Sequence, residues 1–189
     1  MSTVKSKKLQ VGTDATASNN FTIYQPDSPD GSVVIGQGNA DSPTEVAKFN
    51  SNGLVPNAKI VEAELSTDYS GVSGWNIIPF DTITGETSWY DTTNYRFQPT
   101  VAGWYMLIGS SKLDNSTSNR LITDFVRVGG VTICRGQDVQ GTICRTGQAV
   151  TMQYFNGTTS FVYFRVWTTA AETHQSGEGN TTFKAFLIR

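Results

Sequence analysis

One histidine, two cysteines and scattered aspartates are what this 189-residue chain has for proton transfer, nucleophilic attack or metal binding. His174 stands in Thr173-His174-Gln175-Ser176-Gly177, a polar run that offers no sheltered acid to orient the ring. A relay of nucleophile, base and acid needs all three held together, so no enzyme is expected. Cys134 and Cys144 lie in a near-repeat, Thr-Ile-Cys-Arg, whose spacing lets two paired strands carry them side by side. Both a disulfide and two small buried thiols fit that spacing; a chain folded in a reducing cytoplasm favours the thiols. A zinc site would need further ligands nearby, and none follows in sequence. Gly36-Gln37-Gly38-Asn39-Ala40-Asp41 opens like a dinucleotide fingerprint but has Asp41 where the third glycine belongs, and no helix follows. It reads as a turn. Asp27 with Asp30, and Asp81 with Asp91, are pairs that might suggest calcium or acid-base work, yet aspartate among Pro, Gly and Thr is mostly a turn former. We expect neither metal nor cofactor.

The remaining candidates make contacts rather than chemistry. The ligand-contact candidates are Tyr69, Trp89 and Tyr90, together with Asn115, Asn156 and His174 on loops 114–119, 156–159 and 173–180. Rings supply rigid contact area and amides supply adaptable hydrogen bonds. A net charge of −2 with 16% charged residues gives no electrostatic footprint for nucleic acid, although Lys5, Lys7 and Lys8 make one small basic cluster. No apolar run follows that cluster as a secretory leader would require, and none reaches the ~18 residues of a membrane span, so no membrane insertion is expected.

The elements that must position these residues fall into two segments. Residues 1–57 contain the runs Phe21–Tyr24 and Ser32–Ile35, separated by Pro26-Asp27-Ser28-Pro29-Asp30-Gly31. That is strand, turn, strand, in an extended β-rich arm with too few large apolar residues for a core of its own. Its apolar residues must therefore meet other copies or a larger assembly; Leu9, Val11, Phe21, Ile23, Tyr24, Val33 and Ile35 are the docking candidates. Residues 58–189 read as a series of strands over 59–65, 75–80, 95–98, 103–113, 121–128, 131–135, 148–155, 159–168 and 181–188, with turn signals such as Gly129-Gly130 and Asn156-Gly157 between them. Many short strands without a helical period mean an all-β sandwich or jelly roll.

Three of those strands are apolar on both faces. In Phe161-Val162-Tyr163-Phe164-Arg165-Val166-Trp167 the alternate sets are Phe161, Tyr163, Arg165, Trp167 and Val162, Phe164, Val166. Residues 103–108 and 183–188 behave alike. A sandwich strand normally gives one face to water, so a strand apolar on both expects a cover, either loops or a neighbouring subunit. Tyr105, Phe164, Val166, Phe186 and Ile188 are the interface candidates.

The same residues carry a family resemblance. Gly74-Trp75-Asn76-Ile77-Ile78-Pro79-Phe80-Asp81, Asn94-Tyr95-Arg96-Phe97-Gln98-Pro99-Thr100-Val101-Ala102-Gly103-Trp104-Tyr105 and the ending Thr182-Phe183-Lys184-Ala185-Phe186-Leu187-Ile188 resemble the globular head of the complement recognition subunit, within the tumour necrosis factor superfamily. That resemblance implies a jelly roll assembled as a compact homotrimer. No collagen-like Gly-X-Y stalk precedes the head. Instead Lys8–Thr13, Asn19–Pro26 and Pro29–Val33 resemble the opening segments of virion proteins of tailed bacteriophages. This second resemblance implies a homotrimeric fibre or knob, made in the host cytoplasm and displayed on the virion surface, anchored through its N-terminus to capsid or tail proteins and contacting a host-surface glycan or protein. The alternative is a capsid decoration (cement) protein that stabilises the shell.

Overall fold

The computed structural model describes residues 7–28, 30–50, 53–56, 59–114, 120–140, 145–177 and 179–188. They form two compact units that divide between residue 58 and Lys59.

The first unit is a five-stranded antiparallel meander of β1 (Lys8–Val11), β2 (Phe21–Tyr24), β3 (Val33–Gln37), β4 (Thr44–Asn50) and β5 (Gly53–Pro56), paired in chain order. The sequence points only to β2 and β3. The strands β1 and β5 escape notice because each is four residues long with only two large apolar side chains, and β4 because glutamate and lysine interrupt its alternation. Leu9 pairs with Ile23 and Ile23 with Ile35; Val11 pairs with Phe21 and Val33 with Phe49, so all seven share one face. The opposite face is covered from within the unit: Thr22, Val34 and Gly36 are buried, and Pro43 and the Tyr24 ring lie so close over Gly36 that an added Cβ would meet them at 2.7 and 3.1 Å.

The second unit is a sandwich. Its strands are β6 (Ile60–Glu64), β7 (Tyr69–Ser70), β8 (Gly74–Ile77), β9 (Thr82–Gly85), β10 (Tyr90–Asp91), β11 (Arg96–Phe97), β12 (Gly103–Asp114), β13 (Arg120–Arg127), β14 (Val131–Gln140), β15 (Thr146–Phe155), β16 (Val162–Thr168), β17 (Thr173–His174) and β18 (Thr182–Ile188). One sheet runs β15-β12-β18-β6-β9, with β17 and β7 continuing beside the end of β12. The other runs β14-β13-β16, and both β8 and β11 share the free edge of β16, with β10 beyond β11. Every pairing is antiparallel. The β13 to β14 turn uses Gly129 and Gly130 at φ 81° and 77°, a region open to glycine at little cost.

Between the sheets lies an aromatic core. Phe97 stands 5.5 Å from Tyr105 and 5.3 Å from Phe155, ring centre to ring centre, and Phe125 stands 5.5 Å from Phe164, in the edge and tilted geometries that ring quadrupoles favour. The sheets approach closely where Gly109 of β12 faces the Phe164 ring; a Cβ there would lie 2.4 Å from it. At the open side, Gly136 of β14 lets its backbone rest against Gln148 and Ala149 of β15, where a Cβ would meet the Gln148 carbonyl at 2.2 Å. The Gln148 N–H donates to the Gln137 side chain (3.0 Å), and the Cys134 thiol donates to the Val150 carbonyl at 3.4 Å. Cys134 is thus half-buried at this seam, and Cys144 lies outside the described residues.

Three of the expected interface residues belong to this core. Tyr105 and Val166 are 0% exposed and Phe164 is 2% exposed, each among the opposite sheet's side chains. The alternation of β12 and β16 is as expected, but the set that turns inward is the one containing these residues.

Candidate functional site

The strand β12 positions the site. Its odd residues Tyr105, Leu107, Gly109, Ser111 and Leu113 enter the core, which leaves Trp104, Met106, Ile108, Ser110 and Lys112 outside. On either side the register adds matching residues. Trp104 is flanked by Tyr154 and Ile188, Met106 by Met152 and Phe186, Ile108 by Val150 and Lys184, and Phe186 in turn by Ile60. The result is a continuous apolar face across β15, β12, β18 and β6. Trp104 is 55% exposed, Met152 63% and Tyr154 47%, with Val150, Ile188, Ile60 and Met106 exposed beside them. Trp104 and Tyr154 pack edge to face at 5.9 Å.

The face has a sharp limit. One row beyond Met106, Lys184 ion-pairs with Glu62, and past that row stand Ser110, Gln148 and Thr182. Contiguous apolar surface of this kind on one half of a sheet marks a contact surface. Phe186 and Ile188 are on it as expected. Trp104, Met106, Met152 and Tyr154 are not among the sequence candidates, although the rule that named their neighbours points to them once the inward set is known.

The outer face of the other sheet is different. Its outward residues Trp75, Arg120, Asp124, Arg135, Arg165 and Trp167 pack on one another, while Trp75 and Ile77 of the edge strand β8 stay 38% and 40% exposed. The Arg165 guanidinium lies 3.9 Å from the Trp75 ring centre, Arg120 lies 5.7 Å from Trp167, and Arg96 lies 4.5 Å from Phe161. Beneath them Asp124, fully buried, accepts from Arg135 at 3.2 Å and Arg165 at 3.1 Å. A guanidinium stacked on indole and held by a carboxylate shelters the ring while keeping its own edge in water.

The other sequence candidates divide by burial. Trp89 and Tyr90 are 2% and 7% exposed, and Trp89 Nε1 donates to Thr100 Oγ1 at 2.9 Å. Both serve the core, because a 3₁₀ turn and the short β10 tuck them under the sheet, so neither is a surface contact. His174 is likewise 0% exposed: it lies on β17 beside β12, its ring stacked 5.6 Å from Tyr69 and its Nδ1 2.8 Å from Ser111 Oγ. Burial pushes its imidazole down to about 4, with Glu172 opposing the shift. The neighbouring hydroxyl is itself buried, with Ser111 1% exposed, which leaves no room for a substrate. Tyr69 is half-buried against that ring. Asn156 is exposed and holds its own loop, its Oδ1 accepting the N–H groups of Thr158, Thr159 and Ser160 at 3.0 Å. Asn115 lies outside the described residues.

The aspartates hold turns. Asp81 accepts from the Ser66 N–H at 2.7 Å and hydroxyl at 2.6 Å; Asp91 accepts from the Thr93 and Asn94 N–H groups, both at 3.0 Å. Those bonds lower both carboxyls below the usual range, against the opposing effect of burial. Asp30 accepts from Ser32 and from Lys48, which lowers it to about 2. Among the described residues no three His, Cys, Asp or Glu side chains cluster as a metal site.

In the first unit Leu9, Val11, Phe21, Ile23 and Val33 are exposed on the shared apolar face, with Ile35 half-buried among them. Tyr24 sits on the opposite, covered face, since it alternates with Ile23.

No family model and no curated protein matches the chain in sequence. Among solved structures it is similar to murine APRIL at pH 8.0, with a TM-score of 0.54 and 9% identity over 70% of this chain and 100% of that one. It is also similar to the globular domain of the zebrafish complement 1qA protein, with a TM-score of 0.51 and 10% identity over 69% of this chain and 98% of that one. The fold is therefore an all-β jelly roll shared with these two structures, the fold that the sequence resemblance implies.

Proposed function

We propose that this chain is a non-catalytic attachment protein whose sandwich associates with two further copies through the face centred on Trp104, Met106 and Tyr154, while its N-terminal unit fixes it to a larger particle. One observation carries the association: the outer face of one sheet is largely occupied by Arg-Trp stacks over a buried carboxylate, with Trp75 and Ile77 exposed on its edge strand, whereas the other sheet leaves an apolar surface exposed across four strands. The resemblance to complement-type heads supports three copies. Three identical heads also raise the avidity of weak host contacts by roughly 100-fold or more when all engage together.

The particle is, on the sequence resemblance, the virion of a tailed bacteriophage, with the face of Leu9, Val11, Phe21, Ile23 and Val33 as the docking surface. The brevity of the join, since β5 ends at Pro56 and β6 begins at Ile60, favours a second reading in which the same trimer decorates and stabilises a capsid without meeting a host receptor. Copy number per purified particle separates the two. A few to a few tens of chains, with loss of adsorption on deletion, supports a fibre or knob; hundreds, with loss of heat tolerance on deletion, supports decoration. Absence from purified particles overturns both.

A further inference from the structure

We infer that the sandwich carries a site for a carboxylated sugar, in a cavity of about 470 Å³ lined by Arg127, Gln153, Tyr154, Thr159, Ser160 and Phe161. The size falls within the ~300–1,000 Å³ of small-molecule sites. The cavity lies where β13 and β15 end and the loop into β16 begins. It names a ligand class for the attachment reading above, yet its test does not depend on that reading.

The charge pattern fixes one end of the ligand. Arg127 is exposed, is the one charged residue of the lining, and has no carboxylate partner among the described residues. Each other arginine with a stated role here, Arg96, Arg120, Arg135 and Arg165, is paired with aspartate. A free guanidinium at a cavity mouth presents the planar fork that matches a carboxylate.

The rest of the lining suits a hydroxylated ring. Phe161 supplies aromatic surface and is steadied by the Arg96 guanidinium at 4.5 Å from its ring centre. Gln153, Thr159 and Ser160 supply an amide and two hydroxyls. Their loop is prearranged, because Asn156 Oδ1 accepts three successive N–H groups and its Nδ2 donates to Thr159 Oγ1 at 2.9 Å. A loop already fixed loses less entropy when a ligand binds.

The test is titration of the full chain with D-glucuronate, D-glucose and acetate, read by NMR at the Phe161 ring and the Arg127 Nε–H. We expect saturable shifts with glucuronate and affinities at least tenfold weaker for glucose and for acetate. Arg127→Gln should weaken glucuronate at least tenfold, with Arg127→Lys in between, while the remaining spectrum and the light-scattering mass stay unchanged. No saturable shift with glucuronate, equal affinity for acetate, or an Arg127→Gln variant that binds as well as the parent overturns the assignment. The unchanged mass keeps that outcome separate from failure of the trimer.

Discussion

On β16 Trp167 lies under the Arg120 guanidinium and Arg165 stacks on Trp75 of β8, whereas on β12 Trp104, Met106 and Ile108 have only their neighbours on β15 and β18. Both strands are apolar on two faces, and both fold into the same sandwich. One sheet meets the need for cover with Arg-Trp stacks anchored on the buried Asp124; the other leaves its apolar residues exposed, which is the ground for the proposed association. The lesson is that a doubly apolar strand signals a cover without saying who supplies it. The arginines decide: the sheet bearing Arg120, Arg135 and Arg165 shelters itself, and the sheet whose outer charges are confined to one end does not.

The contrast can be broken from behind. Phe164→Asp places a charge among rings in the core shared by both sheets, and should cost at least about 4 kcal/mol, so the chain unfolds rather than dissociates. Near-UV circular dichroism reads it; a folded monomer would mean that Phe164 faces a partner after all. His174, which lies on neither outer face, gives the next largest effect, read by lowering the pH. The folded imidazole titrates at about 4 against 6.5 in the unfolded chain, so the unfolded state binds the extra proton between those values. The contribution is complete above pH 6.5 and falls away as pH drops toward 4, by about 3 kcal/mol in all. Thermal melts across that window should show the slope, and His174→Gln should flatten it.

Trp104→Glu sharpens the comparison on the bare face. It should weaken self-association about 30-fold or more, as loss of a central aromatic anchor does, and leave the monomer folded. Light scattering beside circular dichroism checks both halves; an unchanged mass would remove this face from the assembly. Asp124→Asn does the reverse on the face with the stacks: stability should drop by about 2 kcal/mol because two arginines lose their buried negative charge and an NH2 replaces one of its two accepting oxygens, with the mass unaltered. A melting temperature equal to the parent's would mean that the stacks hold without their anchor.

Much of the fold is legible from alternation. The limits of β12, β16 and β18 fall within a few residues of the apolar runs that announce them, and the turns at Gly129-Gly130 and Asn156-Gly157 sit where glycine and asparagine place them. What alternation cannot supply is the sense of a strand whose two faces are equally greasy. Tyr105 and Trp104 exchange roles if the strand is rolled by one residue, and only the opposing Phe97 and Phe155 rings select Tyr105 for the interior. The short strands β7, β10 and β17 carry no periodic signal at all. They are fixed by longer neighbours, which is why His174, polar on both sides in sequence, ends up sealed beside Ser111.

The seam at Gly136 has a consequence for solubility. A sandwich ends its sheets in strands whose outer N–H and C=O groups invite any other extended chain to join them. Here Gly136 lets β14 lie against β15, and the outer Gln148 N–H and Val150 C=O are taken up by Gln137 and Cys134. A side chain at position 136 would prise that seam open and leave the edge of β15 free to pair with another extended chain.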